Sequence, residues 1–247
     1  MTLKEFFTQN DKAALGFSGG VDSVYLLYAA KSYGANIKPY FIKTDFQPEF
    51  ELSDAKRAAD MLGVELTIIH HDILKNELVS SNKNDRCYHC KRALFGLLKQ
   101  NAVNDGFPVL LDGTNASDDE GDRPGMRAIS ELSVLSPLKI CGITKSEIRE
   151  LSKKAGLFTW DKPSYSCLAT RISTDECITK ETLDKIESSE NLLFKLGYSD
   201  FRVRASKNTA KLQIPQNQFE KIIDEKEMIY GELSKYFDNI LLDLKSR

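Results

Sequence analysis

Near the start of the chain an apolar run, Ala13-Ala14-Leu15-Gly16-Phe17, breaks into Ser18-Gly19-Gly20-Val21-Asp22-Ser23 and then into a helical pattern from about Val21 to Tyr33. A buried strand that turns through two glycines straight into a helix leaves few architectures open. The loop between them is built for an anion. Its glycines let the backbone approach a ligand with no Cβ in the way. The first helical turn offers N–H groups without intrahelical acceptors and the positive end of the helix dipole. The serines add hydroxyl donors. Asp22 is out of character for a loop that binds phosphate alone, so it is expected to help hold Mg²⁺ or to hold the loop itself. The Walker lysine is missing, which disfavours ordinary γ-phosphoryl transfer.

The alternation of apolar runs and helical patterns continues. Ile37 to Lys43 reads as a second strand, and Leu52, Ala55, Ala58, Ala59 and Leu62 mark a helix face that ends at Gly63. Val64 to His70 is a third strand, Tyr88 to about Asn101 a helix, Val109 to Leu111 a fourth strand and Ser133 to Leu138 a fifth. Thr144 and Glu147 form a capping box for a helix ending at Gly156. The expected fold is α/β, a doubly wound and mostly parallel sheet with helices on both faces. A long acidic loop, Asp112 to Arg127, follows the fourth strand and holds Gly113, Thr114, Asp118 and Arg123-Pro124-Gly125. It leaves the sheet at the carboxyl edge, where open α/β sheets bind ligands.

After about Ile172 the texture changes. Thr179 can cap a helix carrying Leu183, Ile186, Leu193 and Leu196, and strands over 201–204 and 211–214 flank a turn at Lys207-Asn208. Phe219, Ile222 and Ile223 mark another helix, and Ile240 to Leu244 a last strand. Two domains are expected, 1–172 and a small α+β domain over 173–247.

With 247 residues, 41% of them hydrophobic, and 34 Lys+Arg against 36 Asp+Glu, the chain can bury a sizeable core, and disorder is not expected. No stretch approaches the ~18–20 uninterrupted apolar residues of a membrane span. The first residues show no secretory h-region, so a cytoplasmic protein without a membrane partner is expected. The balanced charge argues against duplex nucleic acid.

Five cysteines is an odd count, which points away from a disulfide framework and towards metal or nucleophile chemistry. Cys87-Tyr88-His89-Cys90 opens a helix and precedes Lys91-Arg92, surroundings that favour thiolate. Cys167 lies far downstream. The pattern admits a thioredoxin-like pair, a zinc site with His89 as nearest fourth ligand, three thiolates on an open-sided iron–sulfur cluster, or small residues without function. Cys141 and Cys177 lack partners at useful spacing and read as structural. Arg202 and Arg204 alternate with Phe201 and Val203 along a strand and so share one side. Arginine suits bidentate phosphate recognition.

Taken in order, SGGVDS, RCYHCK, GTNASD, RPG, SPL and PSYSCLATRI resemble the LarE family of the PP-loop ATP pyrophosphatase superfamily over nearly the whole chain. SGGVDS alone indicates only the superfamily, whereas PSYSCLATRI is the segment most specific to the family. The resemblance implies an ATP-dependent sulfur transferase acting on pyridinium-3,5-biscarboxylic acid mononucleotide. In that family ATP adenylates a carboxylate with loss of pyrophosphate, and a sulfur nucleophile displaces AMP. The product is a thiocarboxylate of the nickel-pincer nucleotide cofactor.

By the same resemblance, ATP with Mg²⁺ would bind Ser18, Gly19, Gly20, Asp22 and Ser23, together with Lys43, Gly113, Thr114 and Asp118. The substrate's phosphate would sit on Arg202 and Arg204, with Arg171. In members that carry a CxxC, three cysteines bind a [4Fe-4S] cluster whose unique iron holds an extra sulfide. Cys87, Cys90 and Cys167 match that version, which makes Cys167 a ligand rather than a sacrificial donor that becomes dehydroalanine. Glu190 and Gln213 fall near positions where the family is acidic, and Gln213 departs from the expected Glu. A homo-oligomer and a sulfide donor of unspecified identity complete the implied picture.

The second reading is a cluster-dependent PP-loop tRNA thiolase, which adenylates a nucleobase oxygen and should carry a basic RNA platform. An amide-forming relative of NAD synthetase would need an ammonia source but not three placed cysteines. A cluster sensor without catalysis leaves the Gly-rich loop unexplained.

Overall fold

The computed structural model describes residues 1–118 and 124–247. Arg123 of the Arg-Pro-Gly motif lies outside the described residues. In chain order the elements begin α1 (Leu3–Gln9), β1 (Lys12–Gly16), α2 (Val21–Ser32), β2 (Asn36–Lys43), α3 (Glu49–Leu62), β3 (Thr67–His70) and α4 (Glu77–Ser80). They continue α5 (Arg86–Asn104), β4 (Leu110–Leu111), α6 (Pro124–Glu131), α7 (Pro137–Ile140) and α8 (Lys145–Lys154). The last are α9 (Lys180–Lys195), β5 (Arg202–Ser206), β6 (Thr209–Gln213), α10 (Phe219–Asp224), α11 (Lys226–Leu233) and β7 (Asn239–Leu242). They form two compact units, one of residues 1–44, 49–72 and 85–162, the other of 45–48, 73–84 and 163–247. No helix among the described residues is long and apolar enough to cross a membrane.

The first unit is built on a four-stranded sheet in the order β3-β2-β1-β4, with every pairing parallel. Side chains alternate along each strand, and the core divides accordingly. Ala13 and Leu15 join a cluster with residues of α1, α2, α3 and α8, while Ala14 joins Leu98 and Ala102 of α5 and Ile129 of α6. Helices therefore cover both faces, as a parallel sheet requires. From β1 the order runs outward through β2 to β3, then returns to place β4 on the other side of β1. The strand order reverses there, and the loops leaving the carboxyl ends of β1 and β4 open into the crevice between them.

α2 ends where Gly34 adopts φ +80°. Gly34 N–H reaches Lys31 O and Ala35 N–H reaches Ala30 O, which closes the helix with a Schellman pair. The same device shortens the third strand. Val64 N–H is taken by Ala59 O and Gly63 N–H by Asp60 O, so pairing with β2 begins at Thr67 rather than Val64. The fifth strand expected over Ser133 to Leu138 is reduced to one bridge, Leu111 with Leu135. Ser133 at φ +57° interrupts the extended run, and Pro137 begins the short helix α7, in keeping with the fixed φ of proline at a first helical position.

The second unit carries a mixed three-stranded sheet in the order β5-β6-β7, antiparallel between β5 and β6 and parallel between β6 and β7. Lys207 turns the hairpin with φ +50°. Thr179 caps α9 by accepting from Thr182 N–H, and the helix buries Leu183, Ile186 and Leu193 together with the polar Ser189 and Glu190. Asn82 and Ser80 tie residues 73–84 into this unit, through Asn82 Nδ2 to Ser173 O and Ile178 N–H to Ser80 O.

Two glycines at positive φ separate conformational cost from steric cost. A Cβ on Gly34 meets nothing within 4 Å, whereas one on Gly19 stands 2.7 Å from the Ala55 backbone nitrogen. Gly34→Ala is expected to cost about 1–2 kcal/mol in urea denaturation, the left-handed backbone penalty alone. Gly19→Ala is expected to cost more, because the backbone of α3 must also move.

Candidate functional site

The nucleotide-type loop lies where β1 gives way to α2 in the first unit. Gly20 is the N-cap residue of α2, with Val21, Asp22 and Ser23 in its first turn. Ser18 Oγ and Ser23 Oγ stand 3.2 Å apart, Ser23 Oγ donates to Gly20 O at 3.2 Å, and Gly20 N–H reaches Ser18 Oγ at 3.3 Å. The loop is thus braced by its own hydroxyls before any ligand arrives.

The loop after β4 packs directly against it. A Cβ on Gly113 would stand 3.2 Å from Ser23 N and 3.3 Å from Asp22 Cβ, so glycine sets how closely the two loops approach. Thr114 is held by Asp112, which accepts its N–H at 3.1 Å and its hydroxyl at 2.7 Å. Asp118 accepts Asn115 N–H at 2.9 Å. These contacts shape the loop.

Asp22 receives Asn115 Nδ2 at 3.3 Å and Lys145 Nζ at 2.5 Å. Lys145 N–H in turn donates to Ser117 Oγ at 2.9 Å. Asp22 therefore ties together the β1–α2 loop, the loop after β4 and the start of α8, and its carboxylate is committed to them. Lys43, at the carboxyl end of β2, pairs with Glu49 at 2.7 Å.

Lys145 was not expected at this site. It holds the position after the capping Thr144, where a cation opposes the helix dipole. That mismatch was the available signal.

Cys87 and Cys90 lie in the first turns of α5, Cys87 exposed and Cys90 half-buried. Arg86 Nη2 approaches Cys87 Sγ at 3.5 Å. His89 turns back to Asp85 at 3.1 Å. Cys141 caps α7, and burial pushes its thiol pKa up. No disulfide joins any of the cysteines. Among the described residues no group of three or more His, Cys, Asp or Glu side chains is gathered to hold a metal ion. Cys87 and Cys90 of the first unit and Cys167 of the second offer the thiol donors that an iron–sulfur cluster takes.

Cys167 belongs to the second unit, at the N-cap of a short 3-10 turn, Leu168–Arg171. Beside it Glu190 of α9 is fully buried. Its Oε1 accepts Arg171 Nε at 2.8 Å and Val203 N–H at 2.9 Å, and its Oε2 accepts Arg171 Nη2 at 3.3 Å and the Tyr165 hydroxyl. The Tyr165 ring carries Arg171 at 4.5 Å and Arg202 at 5.2 Å.

Arg202 is buried and Arg204 exposed although both lie on one side of β5. Burial, with Arg171 and Arg247 nearby, pushes the Arg202 pKa down to about 10. The same causes lower that of Arg204. Arg204 Nε donates to Gln213 at 2.6 Å, and Gln213 Nε2 to Asp243 at 2.8 Å. Tyr165 and the hub role of Glu190 went unread in the sequence.

Replacing Glu190 by Ala leaves the Arg171 charge buried without its partner. The expected cost is about 3–5 kcal/mol, seen as a lower urea midpoint at unchanged slope.

No protein-family profile matches the chain. It is 34% identical over 98% of its length to an uncharacterized protein of Synechocystis sp., of which 92% is covered. It is 25% identical over 98% of its length to the pyridinium-3,5-bisthiocarboxylic acid mononucleotide synthase of Lactiplantibacillus plantarum, of which 89% is covered. A shorter similarity, 28% identity over 59% of this chain and 52% of the other, reaches the tRNA-specific 2-thiouridylase MnmA of Thermotoga petrophila. With two Gly-bearing loops meeting at the switch point of a parallel sheet and similarity that spans both units, the chain belongs to the LarE family of PP-loop sulfurtransferases.

Proposed function

We propose that this enzyme converts the carboxylates of pyridinium-3,5-biscarboxylic acid mononucleotide to thiocarboxylates at the expense of ATP, for assembly of a nickel-pincer nucleotide cofactor. The observation that carries the reading is the similarity to the Lactiplantibacillus synthase across 98% of this chain, both units included.

In the proposed mechanism MgATP lies with its phosphates on Ser18, Gly19, Gly20 and Ser23 at the amino end of α2. Gly113 gives them room, and Thr114 and Asp118 hold the second loop in shape. Lys43 and Lys145 bring positive charge to the same edge of the sheet. Asp22 serves by holding the loops, because Lys145 and Asn115 already occupy it.

A substrate carboxylate oxygen attacks the α-phosphorus and pyrophosphate leaves. A sulfur nucleophile then attacks the activated acyl carbon, and AMP departs with the substrate's oxygen. Activation is needed because a carboxylate oxygen is a poor leaving group until it is esterified to phosphate.

The second unit is proposed to bind the mononucleotide, with Cys167 as the thiol that handles sulfur. Cys87, Cys90 and Cys167 are proposed as ligands of a [4Fe-4S] cluster, supported by the chemistry of their donors. When bound, such a cluster would supply the sulfide. Assembly into a homo-oligomer is proposed on the exposed apolar side chains Ile223, Tyr230, Leu241 and Leu244 of the second unit.

The partial similarity to a 2-thiouridylase keeps tRNA thiolation as the second reading. One anaerobic assay separates them: ATP and sulfide offered with either acceptor, followed by AMP, pyrophosphate and product mass. Thiolated mononucleotide with stoichiometric AMP is expected. Thiolated tRNA with an unchanged mononucleotide would overturn the proposal. Lys145→Ala is expected to weaken ATP binding about tenfold, roughly 1.4 kcal/mol, measured by calorimetry, with AMP binding much less affected.

A further inference from the structure

The turn that carries Cys87 and Cys90 sits at an end of α5 that its own cap does not hold. The N-cap residue Asp85 makes no side-chain bond to a backbone N–H, and its carboxylate meets the His89 ring at 3.1 Å instead. An uncapped first turn frays, and with it the placement of the side chains it bears. This turn is fastened from the side. Tyr88, between the two cysteines, is buried, and its hydroxyl donates to Glu131 Oε2 of α6 at 2.8 Å. The same hydroxyl oxygen accepts Arg92 Nη1 at 3.2 Å. The Arg127 guanidinium, one turn before Glu131 on α6, lies 4.1 Å from the Tyr88 ring centroid, with its Nε 3.7 Å from Glu131 Oε1. Gly125 of α6 leaves room for Lys91, since a Cβ there would stand 2.9 Å from Lys91 Cδ.

Successive residues of a helix stand about 100° apart. With Tyr88 turned to α6, Cys87 and Cys90 leave α5 from the remaining arc, Cys87 exposed and Cys90 half-buried. The partners of Tyr88 face water: the Arg127 and Glu131 side chains are 61% and 46% exposed. Exposed charges of this kind add little to global stability. Their effect is directional, because they hold one orientation of a buried ring and the ring holds the turn.

We propose that Tyr88, held by Glu131, is a positioning residue that sets how Cys87 and Cys90 are presented for ligation. It acts through the backbone of α5 and touches no reacting atom. That the two thiols ligate a cluster rests on the proposed function.

The test uses the full chain as wild type, Tyr88→Phe, Glu131→Ala and Glu131→Gln. Tyr88→Phe keeps the buried ring and removes only its hydroxyl. Glu131→Gln keeps an oxygen for that hydroxyl and removes the charge. Amide hydrogen exchange of residues 86–92 is read in metal-free protein against residues 96–104 of the same helix. The electron paramagnetic resonance of the reduced cluster is read after anaerobic reconstitution with iron and sulfide. In Tyr88→Phe and Glu131→Ala, exchange over 86–92 is expected to rise about fivefold, the effect of one lost hydrogen bond on a local opening, with 96–104 unchanged. The resonance should shift or broaden in the same two variants. Glu131→Gln should stay within about twofold of wild type in exchange and keep the wild-type resonance.

Should Tyr88→Phe not fold, the two variants at exposed Glu131 decide. Unchanged exchange or an unchanged resonance in Tyr88→Phe and Glu131→Ala overturns the proposal. So does Glu131→Gln behaving as Glu131→Ala, which would give the role to the ion pair with Arg127. A wild-type chain that takes up no iron also overturns it. A wild-type chain that assembles the cluster but makes no thiocarboxylate, with the variants behaving as expected, would remove the proposed function and leave the role of Tyr88 standing.

Discussion

The pairing of β4 with β1, on the side away from β2, is the constraint on which the nucleotide-type site depends. Only because the strand order reverses there do residues 18–23 and 112–118 leave the sheet side by side. Parallel strands all release their loops from one edge, so a reversal creates a crevice without any special local sequence. The chain then uses glycine at 113 to bring the second loop to van der Waals distance of the first. Asp22 completes the arrangement. The ion pair with Lys145 offsets the negative charge of Asp22 at the start of α2 while joining the loop to α8.

A comparable logic operates in the second unit, with burial taking the place of topology. Glu190 and Arg171 are removed from water almost completely, which is unfavourable for either charge alone. Every oxygen and every arm of the guanidinium is therefore engaged, by Tyr165, Val203, Ser166 and Thr170. A buried pair satisfied in this way adds little net stability, but it specifies one geometry. The residues so specified are the neighbours of Cys167.

What could be read from the sequence was what local chemistry dictates. The loop Ser18 to Ser23, the capping box at Thr144 and the helix ends at Gly34 and Gly63 depend on residues within a few positions of one another. The lost fifth strand depended on one longer-range bridge to Leu111. Lys145 reaches Asp22 across 123 positions, and no periodicity announces such a partner. Arg202 was read as displayed on a strand face, yet the Tyr165 ring and the Ser164 carbonyl bury it. Glu190 stood out in the sequence only as an acid near positions where the family is acidic, because burial of a polar position inside an apolar helix face becomes visible only once its partner is placed.

The central claim is that the enzyme makes a carboxylate electrophilic by attaching its oxygen to the α-phosphorus of ATP. Mononucleotide carrying oxygen-18 in its carboxylates, incubated anaerobically with the enzyme, ATP and sulfide, tests this most directly. The account predicts that the label leaves with AMP, in its phosphate, as thiocarboxylate forms. Unlabelled AMP beside thiolated product, or label recovered in pyrophosphate, would contradict it.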